Sequence, residues 1–69
     1  MKHPNDITIT SRDRLLRAWE NSMELVRDFE CYSKEIEGNP EISHTFAEFA
    51  KDEGLHAARF RELLLQEER

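Results

Sequence analysis

Between two stretches of unbroken helical periodicity the chain carries one strong turn, Gly38-Asn39-Pro40-Glu41, and that turn points to a helical hairpin. Glycine suits the left-handed position just past a helix, and Asn39 can cap the helix that follows. Proline fits a first helical turn, where no amide donor is needed. Upstream, from Arg12 to about Glu37, Leu15, Ala18, Trp19, Met23, Leu25, Val26, Phe29, Tyr32 and Ile36 recur at helical intervals with no proline or glycine among them. Thr10 or Ser11 can cap this first helix, with Asp13 as the reciprocal acid of a capping box begun by Thr10. The second helix is expected from Pro40 to about Glu67, and so short a loop lays the two antiparallel. Residues 1–10 contain Pro4 and show no helical period. The alternation Ile7-Thr8-Ile9-Thr10 is short and has no partner strand, so the segment reads as a flexible tail that can order against a neighbouring subunit.

A chain of 69 residues is too short to build a secure core from one hairpin. Below roughly 70–80 residues a single core rarely supplies more than about 3–5 kcal/mol, and disulfides, metals or partners make up the difference. Cys31 is the only cysteine, so an intrachain disulfide is excluded. Metal binding and self-association remain, and a homodimer or higher homo-oligomer is expected. The net charge of −5 argues against nucleic acid, whose phosphates need clustered Lys and Arg. Mean hydropathy is −0.80, and no apolar run approaches the ~18 residues of a membrane span. The N-terminus MKHPNDITIT carries no signal-peptide-like run, so a cytoplasmic location is expected. No positioned nucleophile, glycine-rich phosphate loop or cysteine knuckle is present.

The second helix holds two stripes. Ile42, Phe46, Phe49, Glu53, His56, Phe60 and Leu63 follow alternating four- and three-residue steps, the spacing of a coiled-coil seam. Beside it run Ala47, Ala50, Gly54 and Ala57, small enough to let another helix come close. Gly54 suggests a packing reason, because glycine inside a helix costs about 1 kcal/mol against alanine. Two contact stripes ask for two neighbours. The other helix of the hairpin supplies one, and a second copy of the chain would supply the other, completing a four-helix bundle.

The polar pair in the aromatic seam is the candidate site. Residues three apart share a helical face, so Glu53 and His56 can aim at one point. Glu41 and His44 have the same spacing but lie off the seam, where the pattern means little. A carboxylate among Phe46, Phe49, Phe60 and Leu63 must be paired, protonated or bound to a cation. Carboxylate and imidazole suit divalent iron, manganese or zinc. The alternatives are a Glu–His or Glu–Arg pair that fixes helix register, and a plain exposed pair.

Three segments together resemble a known family: Leu15-Leu16-Arg17-Ala18 through Phe29-Glu30-Cys31-Tyr32, the Gly-Asn-Pro turn, and Phe46 to His56. The most specific phrase is F-A-x-x-E-x-x-H-A-x-x-F, from Phe49 to Phe60. The likeness spans Ser11 to Leu65 and is to the ferritin-like superfamily, nearest its rubrerythrins and short two-helix encapsulated ferritins. It implies non-haem iron inside a four-helix bundle and oxidation of iron, reduction of peroxide or handling of oxygen. In the encapsulated branch it implies a metal site completed by two paired hairpins, and residence within a protein compartment. Carried over by residue, Glu53 would bridge metals, His56 would be a terminal ligand, and Tyr32 would stand beside the site. The family also draws a glutamate from the first helix, seven residues before that tyrosine; here that position is Leu25. Glu24 is the neighbouring acid, about 100° off the seam. Folding about the turn sets Leu25 and Ser22 opposite Glu53 and His56, so two chains offer two Glu and two His.

Outside the seam, Trp19, Phe29 and Phe60 are expected in the core, Tyr32 in the core or beside the metal, and Cys31 as a small buried thiol. Glu41, His44, Glu48 and Asp52 read as a solvated outer face. Three functions follow in order: a ferritin-like iron-binding protein, a metal-free relative serving as a dimerisation module, and an unrelated helical adaptor.

Overall fold

The computed structural model describes residues 10–67. The expected tail falls almost wholly outside that range. Two helices, α1 (Ser11–Glu35) and α2 (Pro40–Glu67), pack against each other as an all-helical hairpin.

Local chemistry sets their ends. Thr10 Oγ1 accepts from the Asp13 amide at 3.1 Å, and Asp13 Oδ2 accepts from the Thr10 amide at 3.1 Å, closing the capping box. These bonds to Thr10 hold the Asp13 carboxyl below its ordinary value of 3.8. A depressed carboxyl contributes stability above its unfolded pKa and loses it as pH falls through the folded one. The first turn of α1 should therefore weaken below about pH 3.8. Thr10→Ala should cost about 1 kcal/mol at neutral pH, read from chemical unfolding, and should leave most of this acid-dependent step in place, because the residue-10 amide still donates to Asp13 Oδ2.

The first helix stops two residues short of the expected Glu37. Ile36 is extended at φ −75°, ψ 117°, while its amide still donates to the Tyr32 carbonyl at 3.0 Å. A β-branched side chain adopts that conformation readily. Gly38 does take the left-handed conformation, at φ 77°, but it lies two residues beyond the cap. Asn39 Oδ1 accepts from the Ile42 amide at 3.2 Å, capping α2 as expected. Ser43 Oγ then donates to the Ser33 carbonyl at 2.6 Å and fastens the two helices beside the turn. One turn further, the Phe46 ring lies 5.6 Å from Phe29 and 5.4 Å, edge-on, from Tyr32.

The small-residue stripe faces α1. Ala50, Ala57 and Leu64 are buried on α2, Ala57 to 2% exposure, and Ser22 is buried on α1. Bulky side chains are displaced to the flanks of this narrow seam. Trp19, Phe29 and Phe60, expected as core, are only half-buried, and among the described residues no large side chain is fully buried. Gly54 also departs from expectation. A Cβ placed there would meet nothing within 4 Å, so the packing of this hairpin does not require glycine. Cys31, expected buried, is exposed. One residue before Tyr32 turns it about 100° further from α2.

Candidate metal centre

Helical geometry divides the hairpin into two sides. The aromatic contacts and the Ser33–Ser43 bond pair Phe29 and Tyr32 with Phe46. One heptad along, the same register sets Ser22 and Leu25 level with Glu53, as the folding argument from the turn anticipated. Another heptad pairs Leu15 with Phe60, and these two line one open groove of about 390 Å³ with Ser11, Arg14 and Ala18.

On this front side Phe46, Glu53 and Phe60 lie half-buried in the crease between the helices. Ile42, Phe49 and His56 project beyond it from α2, and Leu25 and Tyr32 from α1, all exposed. The seam read in the sequence as one stripe is thus split from Ile42 to Phe60, with alternate members packed in the crease and standing out from it, while Leu63 beyond is half-buried. Phe49, at 52% exposure, is the largest apolar side chain left uncovered at the centre of that face.

Glu53 and His56 stand in the middle of it. His56 Nδ1 lies 3.3 Å from Glu53 Oε2, and the side chains are 63% and 18% exposed respectively. The carboxylate is therefore mostly withdrawn from water while the imidazole reaches outward. Their separation is one that two donors sharing a divalent ion at about 2.0–2.2 Å each can keep. The residue types and spacing fit a metal. Among the described residues, however, no group of three or more His, Cys, Asp or Glu is assembled that could hold one. Within one hairpin the described residues bring these two donors together and no third.

Glu24 does not complete it. Two residues from Ser22 along a helix is about 200° of rotation, so Glu24 sits on the side of α1 away from α2, and it is exposed. On the outer face of α2, His44 Nε2 and Glu48 Oε1 lie 3.3 Å apart as an exposed pair. No helix is long and apolar enough to cross a membrane among the residues described. Comparison with protein-family models, curated proteins and solved structures finds no match to this chain.

Proposed function

We propose that this chain is a ferritin-like metal-binding protein that works as a homodimer. Two hairpins join by their front faces into a four-helix bundle, and Glu53 and His56 of each chain bind non-haem iron, or manganese or zinc, at the interface. Iron oxidation or sequestration is the activity that the resemblance suggests. One observation carries the reading: an uncovered apolar face with a converging carboxylate and imidazole at its centre. A second copy covers that face and supplies the missing donors in one step. The complementarity is isologous, since each chain offers the same half-shell.

The first helix favours a second reading, a metal-free relative whose bundle is a dimerisation module. Leu25 and Ser22, level with Glu53, bring no carboxylate.

Anaerobic dialysis against ferrous ion, with mass measured by light scattering, separates the two. The metal-binding reading expects a dimer that retains iron, and loss of that iron in Glu53→Gln/His56→Gln with the dimer intact. Admitting air should then oxidise the bound iron faster than iron free in buffer. A dimer retaining no more iron than the double variant supports the module, and a monomer removes both readings.

A further inference from the structure

We infer that the side of the hairpin opposite the front face is a second self-association surface, on which another copy packs with its α2 over α1. On this side α1 presents Leu16, Trp19, Met23 and Val26, and α2 presents Gly54 and Leu65. Met23 and Leu65 are 44% and 46% exposed, while Leu16, Trp19 and Val26 are half-buried. Glycine weakens a helix, yet a Cβ at Gly54 would meet nothing within 4 Å of this hairpin. The space it leaves is open to a neighbour. From Leu16 to Lys34 the first helix advances about 27 Å, and two helices side by side are about 20 Å wide. Two such faces joined bury on the order of 1,100 Å², above the roughly 1,000 Å² that a specific interface needs.

Charge selects a second copy as the occupant and fixes its direction. Glu30, Lys34 and Lys51 line a groove of about 270 Å³ at the turn end, and Trp19 and Arg61 share one of about 170 Å³ toward the open end. Side chains on a helix lean toward its N-terminus. Glu30 and Trp19 therefore lean toward the open end, and Lys51 and Arg61 toward the turn. A two-fold axis along the helices lays α1 of each copy on α2 of the other at matched levels. Across it Glu30 converges on Lys51 and Trp19 on Arg61, each contact made twice, and Met23 enters the gap at Gly54. The other two-fold lays α2 on α2 and draws Lys51 toward Arg61, like charge against like. The surface is separate from the front face, and its polar ends make it the weaker contact, filled as concentration rises.

Sedimentation velocity from micromolar to near-millimolar protein tests this. The expected result is a mass that doubles, from dimer to tetramer, as concentration rises. Gly54→Arg fills the gap without touching the rest of the hairpin and replaces glycine with a better helix former. It should hold the protein at the dimer with its helicity undiminished. Glu30→Lys and Lys51→Glu should each weaken the doubling by about tenfold or more. The two variants mixed should recover it, because each supplies the charge that the other lacks. A mass constant across the range, or a doubling that survives Gly54→Arg, overturns the inference and leaves the front-face dimer standing. Mixed variants that stay at the dimer overturn the pairing of α1 on α2.

Discussion

Phe49→Asp is expected to leave the chain monomeric and largely unfolded at concentrations where the parent is a folded dimer. Phe49 is half exposed on the hairpin and central on the uncovered face. Burying a phenylalanine is worth about 1.5–3 kcal/mol, and a symmetric interface loses it twice, once from each chain. Aspartate at the same place must also be desolvated for two copies to join. Per chain this is of the same order as the roughly 3–5 kcal/mol that a chain of this length gains from its core. Leu55, 71% exposed, is the control. It lies away from the front face, and Leu55→Asp should stay within about 0.5 kcal/mol of the parent. Circular dichroism and sedimentation velocity read both outcomes. A Phe49→Asp monomer as helical and as stable as the parent would show that the hairpin folds without its partner, and a variant with the parent's mass would show that this face is not the interface.

The double change Glu53→Leu/His56→Met should abolish metal binding while the chelated protein keeps or gains stability. With a second copy over His56 the pair is buried, and replacing a buried polar pair with apolar groups of similar size is often neutral or stabilising by about 1–4 kcal/mol. Metal acts the other way, through preferential binding to the folded state. At a hundred times its dissociation constant a ligand adds about 2.7 kcal/mol, and each kcal/mol moves the midpoint of a small domain by about 4–8 °C. The parent should therefore melt roughly 10–20 °C higher with metal than with chelator. The variant should melt at one temperature in both. If metal leaves the parent unmoved and the variant falls well below it, the pair serves helix register and binds no ion.

The turn, the caps and the hairpin itself were legible in the chain because their causes are local. Thr10 with Asp13, and Asn39 ahead of Pro40, need only their own neighbours to form. The first helix ended early for an equally local reason, the extended Ile36, which helical spacing had counted as one more apolar position. What spacing could not rank was the two stripes of α2. Both repeat with the helical period, and close approach through Ala50 and Ala57 decides which one meets α1. That choice pushes the aromatic stripe half out of the hairpin, leaving Phe49 exposed and Phe46 and Phe60 half-buried. The Glu53–His56 pair was recognisable from its three-residue spacing among phenylalanines. The separate surroundings of its members were not, because they depend on how far round the helix the crease reaches.

The fastening of the helices is uneven along their length. Ser33, Ser43, Phe29, Tyr32 and Phe46 cluster beside the turn, and the tightest of these bonds spans ten residues of sequence. Toward the open end the partners lie ever further apart along the chain, until Leu15 and Phe60 line one groove and Leu16 and Leu65 another. Closing a short loop is entropically cheaper than closing a long one, so the structure is suited to zip from the bend toward its termini. Unzipping runs in reverse, and the first turns of α1 and the last turns of α2 are the first to be given up.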